Sequence, residues 1–235
     1  MSESARFRRL VPVLALALLL PAAPLRAAEP ALWLRYPAIS PDGTTIVFSY
    51  HGNLWSVPAG GGHATALTVS AAHNTRPVWS PDGSRIAFAS DRHGNFDVFV
   101  MPAAGGEATR LTFHSADELP YAFEERDGAI LFGAARQDLA EHRGFPTGSQ
   151  PELYRVPVAG GRVRQVLTTP AELVQPGPGG RFFLYQDKKG GENEWRKHHT
   201  SAIARDIWLY DTSAGTHRKL TTFAGEDRNP IPTAD

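Results

Sequence analysis

Two stretches of this chain are nearly the same. Pro37-Ala-Ile-Ser-Pro-Asp-Gly-Thr-Thr-Ile-Val-Phe48 is echoed by Pro77-Val-Trp-Ser-Pro-Asp-Gly-Ser-Arg-Ile-Ala-Phe88, with Pro41 and Pro81 40 residues apart. Each reads as strand, tight turn, strand. In Ser-Pro-Asp-Gly the proline presets φ for a type I turn, the aspartate can bond back to the backbone, and the glycine takes the left-handed conformation that follows. A period of this length, built from short strands, is a repeat signature and constrains the fold more than any local reading.

The remaining repeats follow in order. The first has predicted strands at 38–39, 45–50, 54–58 and 65–68, with turns at His51-Gly-Asn53 and Gly60-Gly-Gly62. The second repeats this at 78–79, 86–90, 96–101 and 109–112, and Leu67-Thr68 and Leu111-Thr112 close the two at matching places. The third is weaker: Arg126-Asp-Gly128 keeps Asp-Gly without Ser-Pro, strands fall at 119–123, 130–132, 153–157 and 163–167, and a polar insertion occupies 136–151. The fourth turns at Pro178-Gly-Gly180, has strands at 182–185 and 207–210 around a longer insertion at 188–205, and ends at Lys219-Leu-Thr221. Asp227-Arg-Asn-Pro-Ile231 then restarts the pattern.

Four short strands per repeat describe the blades of a β-propeller. Second strands such as Ile86-Ala-Phe-Ala89 and Phe182-Phe-Leu-Tyr185 are apolar at consecutive positions, as expected of a sheet packed between two others. The expected fold is therefore all-β, a propeller with blades at about 32–72, 73–115, 116–170 and 171–225 and the start of a fifth at 226–235. Most rings have more than four blades. The expectation is a truncated six-bladed ring, the N-terminal part of a longer protein, whose exposed blade faces make it prone to aggregate.

Composition agrees. The 22 glycines and 19 prolines sit between short apolar runs, as turns in an all-β protein do. The 24 basic and 24 acidic residues balance, which argues against nucleic acid or an anionic membrane as partner. With no cysteine there is neither a disulfide nor a thiolate metal site. At the N-terminus, Arg6, Arg8 and Arg9 precede an apolar run over 10–20 and then Pro21 and the small-residue stretch Ala22-Ala-Pro-Leu-Arg-Ala-Ala28. These are the parts of a secretory signal, and the run is short for a membrane span. Residues 1–28 are expected to be removed on export, to the periplasm in a Gram-negative cell.

The Ser-Pro-Asp-Gly turns, the apolar strand after them and the glycine pair before Leu-Thr together resemble the propeller repeats of TolB and of the tricorn protease family. Glu192-Asn-Glu-Trp-Arg-Lys-His-His-Thr-Ser-Ala-Ile-Ala-Arg-Asp-Ile-Trp-Leu-Tyr-Asp211 and Asp227-Arg-Asn-Pro230 look like the tricorn-type pattern in particular. The resemblance covers residues 32–235 and departs from the family at Pro232-Thr-Ala-Asp235, where a bulkier apolar strand is expected. It implies a first propeller that gates or guides oligopeptides, with PDZ-like and serine peptidase domains downstream. The family's catalytic residues would lie beyond this segment, so none is assigned here. A TolB-like propeller that binds envelope proteins is the alternative, and the propeller of a prolyl-oligopeptidase-type hydrolase a second.

Local motifs add no chemistry. There is no Gly-x-Ser-x-Gly elbow, no His-Glu-x-x-His helix and no phosphate-binding glycine loop; Gly60-Gly-Gly62 reads as a turn. No cofactor is expected. His198 and His199, near Glu192, Glu194 and Asp206, are the one cluster with metal-ligand chemistry, but neighbours in an extended segment point to opposite sides. The reading there is a solvated loop anchored by Trp195, with Trp195, Arg196, His198 and His199 as candidates for peptide or partner contact and no metal. Asp42, Asp82 and Asp127 read as turn residues, Asp91 and Asn95 as hairpin residues, and Trp55, Trp79 and Trp208 as packing.

Overall fold

The computed structural model describes residues 33–124, 128–136, 150–189, 200 and 202–233, which belong to one compact unit, Trp33–Asp235. They form four antiparallel sheets of four strands, each a simple meander. Blade 1 is β1 (Arg35–Ile39), β2 (Thr45–Tyr50), β3 (Asn53–Pro58) and β4 (Thr65–Ala66). Blade 2 is β5 (Asn74–Trp79), β6 (Arg85–Ser90), β7 (Asp97–Pro102) and β8 (Thr109–Arg110). Blade 3 is β9 (Glu118–Phe123), β10 (Ala129–Ala134), β11 (Glu152–Pro157) and β12 (Arg164–Leu167), and blade 4 is β13 (Ala171–Pro176), β14 (Phe182–Asp187), β15 (Ile207–Asp211) and β16 (Thr216–Lys219). Among the described residues there is no α-helix, only a single 3-10 turn at Pro178–Gly180.

The Ser-Pro-Asp-Gly turns are built as their chemistry demands. The Gly83 amide donates to the Ser80 carbonyl at 2.9 Å, and Gly83 has φ 70°. Asp82 Oδ1 accepts from the Ser80 hydroxyl at 2.5 Å and from the Ser84 amide at 3.0 Å. The Ser80 hydroxyl oxygen in turn accepts the Arg85 amide at 2.9 Å, which starts β6. Ser40, Asp42 and Thr45 repeat this arrangement. In blade 4 the 3-10 turn takes its place, framed by Gly177, whose amide donates to the Phe182 carbonyl at 2.9 Å. Asp127 lies outside the described residues.

The recurrent Leu-Thr pair closes blades 1, 2 and 4. The Leu67, Leu111 and Leu220 amides each donate at 2.8 Å to a carbonyl at the start of the third strand, that of Leu54, Val98 and Ile207. The following threonine hydroxyl then accepts the amide of that same residue: Thr68 from Leu54 at 2.9 Å, Thr112 from Val98 at 2.9 Å and Thr221 from Ile207 at 3.0 Å. One residue pair thereby satisfies both backbone groups where the fourth strand ends.

Successive blades are then stitched together. The Asn74 amide donates to Gly52 of blade 1, Glu118 to Phe96 of blade 2 and Ala171 to Pro151 of blade 3. Asp227 donates to Arg205 in the same manner at 2.9 Å, so the restart seen in the sequence makes the same bond as the three before it.

Three apolar cores lie between the sheets, not within one. Val47 and Leu54 meet Ile86, Phe88, Phe99 and Met101 between blades 1 and 2. Ala87, Val98 and Val100 meet Ile130, Phe132 and Tyr154 between blades 2 and 3. Leu131 and Leu153 meet Val174, Phe183 and Tyr185 between blades 3 and 4. Neighbouring residues on one strand point opposite ways, so Ile86 and Phe88 face blade 1 while Ala87 faces blade 3, and β6 is buried almost throughout. β10 is buried along its whole length. β14 alternates instead: Phe183 and Tyr185 are buried against blade 3, and Phe182 and Leu184 on the opposite face are half-buried. Its consecutive apolar residues therefore predicted more burial than the described residues provide.

Candidate functional site: an axial groove along the first strands

The first strands of successive blades lie beside one another, β1 with β5, β5 with β9 and β9 with β13. They thus mark the side on which the blades converge. Each carries one extra residue relative to its partner strand. The register slips between Arg35 and Ala38, Thr75 and Val78, Glu172 and Gln175, and opposite Leu131 and Phe132 in blade 3. A bulge of this kind turns a side chain out of the pleat, and bulges concentrate beside functional sites. At the bulges sit residues with left-handed backbone that are not glycine: Tyr36 (φ 50°), Arg76 (51°) and Leu173 (50°), and Asn229 (55°) occupies the matching place after blade 4. Each such conformation is strained by roughly 1–3 kcal/mol and is kept only where the surroundings impose it.

These bulges line a groove of two compartments that share Arg76, Asp117 and Leu119. The first, about 540 Å³, is charged. Arg76, Lys188 and Arg228 line it together with Asp117 and Glu172. Glu172 accepts from Lys188 Nζ at 3.0 Å, Arg205 Nε at 3.0 Å and Gln186 Nε2 at 3.1 Å. Burial alone would push its carboxyl up, but the Lys188 and Arg205 charges and these bonds outweigh that and hold it below its ordinary value. Arg205 also pairs with Glu226 at 2.6 Å. Tyr121 forms part of the floor. Burial, then the Glu172 charge, push its phenol well above the ordinary tyrosine range, with the Arg76 charge opposing.

The second compartment, about 570 Å³, is aromatic. Tyr50 and His51 meet edge to face at 4.2 Å between centroids, as do His73 and Phe96 at 5.6 Å. The Arg76 guanidinium lies 4.8 Å from the centre of the Tyr36 ring, and that of Arg35 lies 5.4 Å from the Trp33 ring.

Of the residues the sequence offered, Trp195, Arg196, His198 and His199 lie outside the described residues, as do Glu192 and Glu194. Asp206 is described, and it is ion-paired with Lys189 at 2.6 Å and Lys219 at 2.9 Å. Among the described residues no three His, Asp or Glu side chains gather as metal ligands would. The tryptophans fall in packing positions: Trp79 Nε1 donates to Ala38 of the neighbouring blade at 3.1 Å, and Trp208 Nε1 to Asp187 at 3.0 Å. Asp91 accepts the His73 amide at 2.7 Å, and Asn95 donates to His114 and Ala116 at 2.9 and 3.1 Å, tying the hairpin to the crossing into blade 3. The groove residues were missed, although residue-then-proline at Tyr36-Pro37, Arg76-Pro77, Leu119-Pro120 and Asn229-Pro230 marks them in the sequence.

Residues 31–235 match the family model described as the tricorn protease N-terminal beta propeller domain. The chain belongs to this family. A curated relative, tricorn protease homolog 1 of Streptomyces coelicolor, is 27% identical over 187 residues, which is 77% of this chain and 16% of that protein. Among solved structures, the tricorn protease matches with a TM-score of 0.63 at 20% identity, over 82% of this chain and 18% of that one. TolB from Acinetobacter baumannii matches with a TM-score of 0.60 at 18% identity, over 83% of this chain and 45% of that one. At these identities the likeness to the solved structures is one of fold. This tricorn-type propeller segment thus spans only a small part of the length of the curated relative.

Proposed function

We propose that this propeller guides oligopeptides toward the serine peptidase core of a longer, exported tricorn-like protein. The observation that carries this reading is the groove itself: bulged first strands from all four blades present one continuous lining, charged at one end and aromatic at the other. An extended peptide offers both chemistries along a narrow chain, whereas a folded protein meets such a groove only at its rim. The family and the relative's name support a peptidase as the larger context.

The test is fluorescence anisotropy of a labelled, end-capped oligopeptide titrated with the full chain. Saturable binding that Arg76→Ala weakens is expected, because Arg76 borders both compartments. Absence of saturable binding overturns the reading.

The likeness of fold to TolB favours a second reading, a docking propeller for other envelope proteins. Under it, cross-linking in intact cells captures a folded partner on the groove rim and free oligopeptides do not bind. We also propose that residues 1–28 are removed on export. Mass spectrometry of the mature protein then finds an N-terminus near Ala27 or Ala28, and a retained Met1 refutes it.

A further inference from the structure

The aromatic compartment holds features that core packing does not account for. The hydroxyls of Ser49 and Thr75 have no hydrogen-bond partner, although these residues are only 4% and 5% exposed. Both residues lie in the wall of this one compartment. Buried polar groups are nearly always satisfied, and an exception calls for a reason such as a missing partner. The two hydroxyl oxygens are themselves sealed behind the wall, between blades 1 and 2, so the rings and cations are what a complement from outside this chain would meet.

The rings give the chemistry of that complement. Tyr50 with His51, and His73 with Phe96, already stand edge to face at 72° and 68°. Aromatic rings favour this arrangement because a ring's positive edge meets its neighbour's negative face, and a further ring extends it. The two guanidiniums are flat cations laid over rings, Arg76 on Tyr36 and Arg35 on Trp33. Among the described residues neither is assigned an ion pair with a carboxylate. A planar π-face can stack on a guanidinium so placed, and a saturated side chain of the same size cannot do so equally well. Tyr36 and Trp33 are 41% and 76% exposed, so the compartment is open on this side. We propose that this compartment is an aromatic-selective subsite, which takes a Tyr, Phe or Trp side chain from a peptide lying in the groove. The inference rests on the peptide-guiding reading above and names the residue class that this part of the groove selects.

The test uses the full chain and one end-capped peptide scaffold whose central residue is tyrosine, phenylalanine, cyclohexylalanine or leucine. Cyclohexylalanine keeps the bulk of phenylalanine and removes its π-face. Anisotropy titrations are expected to show the two aromatic peptides binding about fivefold more tightly than the cyclohexylalanine and leucine peptides. Tyr36→Leu, at a half-exposed position, is expected to erase that preference by weakening the two aromatic peptides more than the leucine peptide. A far-ultraviolet circular dichroism spectrum and melting temperature matching the parent verify that the variant is folded. If all four peptides bind equally, the subsite is refuted and the peptide-guiding reading stands. If the preference survives in Tyr36→Leu, the aromatic residue is held elsewhere and the subsite is refuted as placed. If none binds, both fall.

Discussion

At the scale of single residues, the repeated aspartate of Ser-Pro-Asp-Gly shows how much of a turn one carboxylate can hold. Asp82 is fully exposed, yet the Ser80 and Ser84 hydroxyls and the Ser84 amide draw its pKa from 3.8 to about 2. A carboxyl depressed in the folded state stabilises the fold above its unfolded pKa, and that contribution is lost as pH falls through the folded value. Asp82→Asn is therefore expected to lower the melting temperature at neutral pH, and its difference from the parent is expected to shrink between about pH 4 and pH 2. A constant difference across that window means the bonds do not depend on the charge. This turn was legible in the sequence because its residues act locally. Arg76 was not, because its left-handed backbone and stacking on Tyr36 depend on a neighbouring blade.

At the scale of the element, the blades are closed by pairs that recur in the sequence, and their cost of loss is calculable. Thr112→Val leaves the buried Val98 amide without its acceptor, an expected destabilisation of about 1–3 kcal/mol in urea unfolding. A change under a few tenths would show that water replaces the hydroxyl. Gly133 in β10 is needed for a different reason: a Cβ there would coincide with the Tyr121 phenol. Gly133→Ala is expected to displace Tyr121 from the groove lining and weaken peptide binding as well as stability, read by anisotropy and melting together. The strand positions of blades 1 and 2 were readable from alternation and turn residues. The bulges were not, because the extra residue in each first strand is defined only against its partner, and the first strand of blade 4 lacked the proline that marks the others. The candidates in the fourth insertion, chosen for their chemical types alone, lie outside the described residues.

At the scale of the whole molecule, stability resides between sheets. Phe132 is fully buried in the core joining blades 2 and 3, so Phe132→Ala is expected to destabilise by about 3–5 kcal/mol and to lower hydrogen-exchange protection in β6 and β10 together. Loss confined to β10 would mean the blades open independently. The same convergence of blades brings the four bulges into one groove, and on that groove the functional account rests. Photo-cross-linking tests it most directly, with a capped oligopeptide carrying a photoreactive residue bound to the full chain and the adducts mapped by mass spectrometry. Adducts on the first strands, around Arg76, Leu119 and Leu173, are the predicted result. Adducts confined to the outer strands β4, β8, β12 and β16 would contradict it.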